Sequence, residues 1–140
     1  MSKIESQNAP EPVGLYPHAR QVGNFLFLSG IGPRERGKKE IPGVELDQNG
    51  NIISYDIEIQ CHSVFKNVRS VLEDAGSNWD NLIDVMVFLT NMKDDFDIFN
   101  KDIFNKKFNS FIRDGESLMA YKGIVADLLI LKNFEGKRSK

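Results

Sequence analysis

The run IEIQCHSVFKNVRSVLEDAG, residues 57–76, decides how the chain is read. Ile57, Cys61, Val64, Phe65, Val68, Val71, Leu72 and Ala75 recur at the three-and-four spacing that draws one apolar stripe along a helix. Gly76 follows as a residue able to end it. The spacing predicts an amphipathic helix of about five turns. Next, Leu82 to Thr90, LIDVMVFLT, has the β-branched and aromatic content of a strand. Upstream, Val22 to Ser29 contains Phe25-Leu26-Phe27-Leu28, a β-prone run that Gly30 stops. Helix between strands is the framework on which the other segments must hang.

Residues 1–13, with Asn8-Ala9-Pro10-Glu11-Pro12, read as an extended N-terminal arm, and Arg34 to Asn51 as a loop with turn signals at Pro42-Gly43 and Asn49-Gly50. The acidic Asp94-Asp95 suits a helix N-terminus. Beyond it Phe96, Phe99, Ile103, Phe104, Phe108, Phe111 and Ile112 trace a second apolar face, an aromatic stripe expected in a core. Ser117 to Tyr121 and Ile124 to Leu131 read as two strands of a hairpin around Lys122-Gly123. The order is strand, candidate strand, helix, strand, helix, strand, strand: a single α+β domain over 1–140 with both helices on one sheet face.

Composition narrows the function classes. A net charge of −2 gives no electrostatic reason for nucleic acid or an anionic membrane as partner. No apolar stretch approaches the roughly 20 residues that cross a bilayer, and no signal-peptide pattern opens the chain, so a cytoplasmic protein is expected. The lone Cys61 cannot form an internal disulfide, and on the helix stripe it reads as a small buried hydrophobe. Two histidines and one cysteine without ligand spacing argue against a metal. No phosphate-binding Gly-rich loop with a following Lys is present, and Phe27 stands where the Gly-x-Ser-x-Gly elbow needs glycine before Ser29. What remains is a strand end, LFLSGIGPR (Leu26–Arg34), carrying a hydroxyl, peptide edges at Gly30 and Gly32, and a guanidinium suited to gripping a carboxylate. Tyr16-Pro17-His18-Ala19-Arg20 is equally dense in binding groups, and both runs are expected to line one pocket. Arg20 and Arg34 have the alternative of surface ion pairs with Glu35, Glu40 or Glu45.

Asn8-Ala9-Pro10, Gly14-x-Tyr16, Phe27-Leu28-Ser29-Gly30, Val68-x-x-Val71-Leu72-x-x-Ala75-Gly76, Val87-Phe88-Leu89-Thr90-x-Met92 and Asp95-Phe96-x-x-Phe99-Asn100 together resemble the Rid/YjgF reactive-intermediate deaminases over residues 8–108. Ala9 to Arg20 and Ser29 to Arg34 are similar to the 2-aminomuconate deaminase branch. The resemblance implies a chorismate-mutase-like fold with a mixed β-sheet, and a homotrimer with sites in the clefts between subunits. It also implies cofactor-free hydrolysis of enamine or imine carboxylates to a carbonyl and ammonia. A catalytically silent trimer binding small carboxylates or keto acids, in a sensing or chaperone-like role, is the alternative. By the same resemblance Tyr16 lies in the cleft, Ser29 and Gly30 contact substrate, and Asn100 joins them. Tyr16 either hydrogen-bonds the leaving nitrogen or walls the pocket; His18 is a proton carrier or structural.

The family's Arg-Ser/Thr-x-Val-Glu-Val strand is replaced here by FIRDGESLMAYKG, so 114–140 forms a divergent C-terminal segment. Arg113 is the match for the family's carboxylate-binding arginine unless a shortened hairpin puts Gly115 or Glu116 in its place, and Asp127 is the match for its catalytic glutamate.

Overall fold

A computed structural model of the protein describes residues 2–100 and the strand 125–131. The long helix forms as its periodicity demands: α1 spans Ile57–Asp74. At its start the Asp56 carboxylate accepts the Ile59 N–H at 3.1 Å, satisfying one orphan donor of the first turn. It ends in paired back-bonds, Ser77 N–H to the Leu72 carbonyl and Gly76 N–H to that of Glu73, at 2.8 and 2.9 Å. Its stripe from Ile57 to Leu72 is buried against Ala19, Leu26, Leu28, Leu82, Val87 and Phe99. Each such side chain contributes roughly 1.5–3 kcal/mol by leaving water. Burial, with a smaller push from Asp95, raises the Cys61 thiol to about 12, so it is a neutral core group.

Five strands make the sheet under α1: β1 (Ser2–Ile4), β2 (Ala19–Val22), β3 (Phe25–Leu28), β6 (Leu82–Phe88) and β7 (Val125–Leu131), in the order β1-β2-β3-β7-β6. The strand expected over Val22 to Ser29 is in fact one arm of a hairpin. Gly23-Asn24 turns the chain, and Ala19–Val22 pairs back on Phe25–Leu28. Ala-Arg-Gln has little strand preference of its own, but pairing puts Ala19 and Gln21 on the core side and supplies what propensity does not. The N-terminal arm likewise contributes β1, which pairs Ser2 with Gln21 and Ile4 with Ala19.

A mixed sheet was expected, yet every pairing among the described strands is antiparallel. β3 and β6 do run parallel, as a helical crossover requires, but β7 lies between them and pairs antiparallel with each. The result is a split β-α-β unit. The loop expected over 34–51 also contains structure. Val44–Leu46 (β4) and Ile52–Tyr55 (β5) form a separate hairpin around Asn49-Gly50, pinned by the Asp47 carboxylate accepting the N–H groups of Asn49 and Asn51.

Gly43, just before β4, has φ +77°, and a Cβ there would sit 2.9 Å from both the Asp56 carbonyl oxygen and the Ile59 Cβ. Gly43→Ala is therefore expected to destabilise by about 2–4 kcal/mol, combining left-handed strain with overpacking. Gly50→Ala, with a similar φ but nothing within 4 Å, should cost about 1–2 kcal/mol. Urea unfolding of the two variants side by side checks the difference.

After the 3₁₀ turn Trp79–Asn81 and β6, helix α2 (Met92–Asp97) opens with the Asn91 side chain accepting the Asp94 N–H. Residues 98–100 continue it as a wider turn. Ile103 to Ile112 of the aromatic stripe and the strand expected at Ser117 to Tyr121 lie outside the described residues. No helix among the described residues is long and apolar enough to cross a membrane. Val22, Phe25 and Phe27 of the β2–β3 hairpin and Met86 of β6 stay 36–46% exposed, apolar side chains left outside the core.

Candidate functional site

β3 ends where the core does. Leu28 is buried, and the next residue, Ser29, donates its backbone N–H to the His18 carbonyl and its hydroxyl to the Pro17 carbonyl at 2.7 Å. Both bonds tie the strand end to the segment carrying Tyr16 and His18. Between that end and the N-terminal arm lies a cavity of about 550 Å³, of a size for a small metabolite. Ser29, Gly30 and Arg34 line one side, Ala9 to Val13 of the arm the other, with Tyr16 and His18 between and Val71 of α1 beneath. The two sequence runs singled out for binding groups thus do meet at one cavity.

The arm keeps its place through charged and polar groups far away in sequence. Asp74, at the end of α1, accepts from the Ser6 hydroxyl at 2.5 Å, the Asn8 side chain at 2.9 Å and the N–H groups of Gln7 and Asn8. Burial pushes its carboxyl up, but these bonds outweigh burial and hold it below the ordinary value. The Ser6 oxygen in turn accepts the N–H of Asn8 and of Ala9. Arg36 donates to the carbonyls of Ser6 and Ala9 and pairs with the Glu11 carboxylate at 3.3 Å. Glu11 is held below the ordinary range by its own backbone N–H, with smaller help from Arg36 and Arg34.

His18 proves to be part of this arm lock. Its Nδ1 accepts the Ser6 N–H at 3.0 Å and its Nε2 donates to the Pro10 carbonyl at 2.8 Å, which places the ring proton on Nε2. Glu5 lies 3.4 Å from the same Nδ1, but the Ser6 N–H occupies that lone pair. The ring is 8% exposed with both nitrogens engaged, an arrangement that favours the structural alternative for His18 over the proton carrier. Sequence alone could not show this, because the partners come from the arm.

Arg34 is half-buried and lines the cavity. The surface ion pairs weighed for it do not form among the described residues: Glu35 pairs with Lys38, and Arg34 donates through Nη2 to the backbone carbonyl of Glu11. A guanidinium has five N–H donors, so among the described residues others are left for a ligand. Tyr16 is 41% exposed on the same cavity. Asn100 is half-buried at the end of the wide turn and is not among the cavity's lining residues. Arg113, Gly115 and Glu116 lie outside the described residues.

Asp127 lies on β7, two residues before Leu129, which pairs with Leu28; Gly30 lies two residues after Leu28. In an antiparallel pair this puts Asp127 and Gly30 at the same end of the two strands. Asp127 is also the residue at which the ladder to β6 slips, since Met86 faces Leu128 and Val87 faces Ala126. Ser63 and Asn67 of α1, which no motif marks, hold the loop bearing Arg34: Ser63 donates to the Pro33 carbonyl, Asn67 to those of Gly32 and Arg34. The signal was present in the sequence as polar residues four apart beside an apolar stripe.

Comparison with known proteins bears on the family and the fold. Residues 6–128 match the family model described as Endoribonuclease L-PSP. A RutC family protein of Pyrococcus horikoshii is 35% identical over 91 residues, 65% of this chain and 64% of that relative; the match thus spans just under two thirds of its length. A RutC family protein of the Acyrthosiphon pisum strain of Buchnera aphidicola is 30% identical over 130 residues, 93% of this chain and 88% of the relative. Among solved structures, a putative endoribonuclease from Thermotoga maritima superposes with TM-score 0.71 at 25% identity, covering 94% of this chain and 98% of that one. TdcF of E. coli, solved with bound serine, gives TM-score 0.70 at 21% identity, covering 94% and 99%.

Proposed function

The chain belongs to the Rid/YjgF family, whose model carries the description Endoribonuclease L-PSP, and from that premise we propose that it is a cofactor-free hydrolytic deaminase of enamine or imine carboxylates, acting as a homotrimer. The observation that carries this reading is the cavity at the end of β3, with a hydroxyl, an open peptide edge, a phenol and an arginine turned to one small volume. In this reading a 2-amino-enoic acid tautomerises to its imine, and water deprotonated by Asp127 adds to the imine carbon. The carbon–nitrogen bond then breaks, nitrogen takes up the protons as ammonia, and a keto acid remains. Arg113 or Arg34 holds the substrate carboxylate, since a guanidinium fork matches its two oxygens. Ser29 and Gly30 orient it, and Tyr16 bonds the leaving nitrogen or walls the cavity. The serine bound by TdcF, itself a small amino-acid carboxylate, fits the same class of ligand.

Trimer formation would cover the exposed apolar side chains of Val22, Phe25, Phe27 and Met86. RNA cleavage, which the family description names, is the weaker reading: the net charge is −2, and no basic stripe or aromatic platform of the kind that grips single strands is evident in the sequence. The second reading in contention is a silent binding protein for small carboxylates, favoured by the departure of residues 114–140 from the family pattern.

Ammonia release from enzymatically generated 2-aminoacrylate and 2-aminomuconate separates the two. Release above the spontaneous rate is expected; release at that rate, with keto acids still bound, would leave the binding protein. Because Arg34 adds a guanidinium to the site, Arg34→Ala is expected to raise KM for the dicarboxylic substrate about tenfold or more and for the monocarboxylic one about twofold. Equal changes for both would remove Arg34 as a second clamp.

A further inference from the structure

The position of Arg34 is governed from outside the cavity. Asn67 lies on α1, is 5% exposed, and is not a lining residue. Its amide donates both hydrogens to one loop, reaching the carbonyl oxygens of Gly32 at 2.9 Å and Arg34 at 2.8 Å. One turn earlier, the Ser63 hydroxyl reaches the carbonyl between them, Pro33, at 2.6 Å. Three successive carbonyls therefore face the helix. A trans peptide points its N–H opposite to its C=O, so the N–H groups of Arg34 and Glu35 face away from α1.

This geometry needs those two side chains. A buried asparagine lowers helix propensity and tolerates burial only when its amide is satisfied, so a leucine at 67 would serve the helix alone better. Arg34 carries its charge on a long side chain whose direction depends on where its backbone is held. With its carbonyl fixed to α1 and its guanidinium on the Glu11 carbonyl, the Arg34 side chain is held at both ends where it lines the cavity.

We propose that Asn67, assisted by Ser63, is a positioning residue: by clamping the Gly32–Arg34 backbone it aims the Arg34 guanidinium into the cavity, and so sets the preference of the site for a ligand with a second carboxylate. The inference rests on the reading of the cavity as a carboxylate site, and on the alternative in which Arg34 serves the second carboxylate and not the first. Without the clamp the loop can drift, and Arg34 can follow its other tether toward the arm. The contact to a second carboxylate is then lost, while the first carboxylate, held elsewhere in the site, is retained.

Isothermal titration of the full chain with 2-oxoglutarate, a dicarboxylate, and pyruvate, a monocarboxylate, tests this. The wild type is expected to favour 2-oxoglutarate by about tenfold, and Arg34→Ala to erase that preference. Asn67→Leu should cut the preference at least about threefold while changing pyruvate affinity less than about twofold, and Ser63→Ala should shift it the same way by less. Asn67→Asp at neutral pH, which sets a carboxylate against two carbonyl oxygens, should do at least as much harm as Asn67→Leu. A general loss of packing would weaken both acids together, so the ratio is the readout. A folded Asn67→Leu protein that keeps the wild-type ratio, while Arg34→Ala has lost it, overturns the positioning role. If Asn67→Leu does not fold, an unchanged ratio in Ser63→Ala does so. Retention of the ratio by Arg34→Ala removes the contact that Asn67 is held to aim. A wild type that binds neither acid overturns the carboxylate reading of the cavity itself, a failure distinct from the others.

Discussion

Asp127→Asn is expected to lower ammonia release about 10²–10⁴-fold, the range set by losing a positioned general base. The substitution keeps the size of the side chain and removes only its basicity. Two observations single out Asp127: it shares a strand end with Gly30 across the β3–β7 pair, and it is the residue at which the β6–β7 ladder slips. Keto-acid affinity should change far less, because binding is assigned to the guanidinium and to the end of β3. Single-turnover measurement of ammonia, with pyruvate titration alongside, separates the two effects. Undiminished release by a folded Asp127→Asn protein would move the base elsewhere, with Tyr16 the first candidate.

Loss of the Asp74 carboxylate should weaken both the fold and the cavity wall from outside the cavity. Asp74→Ala removes the acceptor of the Ser6 hydroxyl, the Asn8 amide and two backbone N–H groups, and it strands the 2%-exposed Ser6 hydroxyl. Several of these donors can turn to water, so the net cost is about 2–3 kcal/mol. Because the arm forms one wall of the cavity, keto-acid affinity should fall about tenfold as well. The pH dependence has a definite sign. Asp74 titrates lower in the folded protein than in the unfolded chain, so its stabilisation is complete above the unfolded value, about 4. It disappears as pH falls through the lower folded value. The stability gap between wild type and Asp74→Ala should therefore be flat from about pH 5 to 7 and close below about pH 4. Chemical denaturation across that range measures it; a gap that widens on acidification would be inconsistent with the bonding described.

Much of the site was legible because its chemistry is local. Ser29, Gly30 and Arg34 follow one another at a strand end, and that end is marked by where the apolar run stops. His18 was harder to read. Beside Tyr16 and Arg20 it looked available for proton transfer, and only Ser6 and Pro10, brought over by the arm, show both nitrogens engaged. Asp74 and Asn67 were silent for a related reason: their partners lie 66–68 and 33–35 residues away. Asn100 carried a family-like motif but is not among the residues lining the cavity.

From sequence alone came those features that a few neighbouring residues decide: the limits and buried stripe of α1, the strand character of 82–88, and the abrupt end of β3. Tertiary structure alone decided that β7 enters between β3 and β6, that the arm becomes both an edge strand and a cavity wall, and that Asp127 falls at a slip in the ladder. The division has one physical cause. Periodicity and caps act within a turn or two of the chain, whereas strand order, register and the burial of a lone polar group depend on partners that folding brings from far along it.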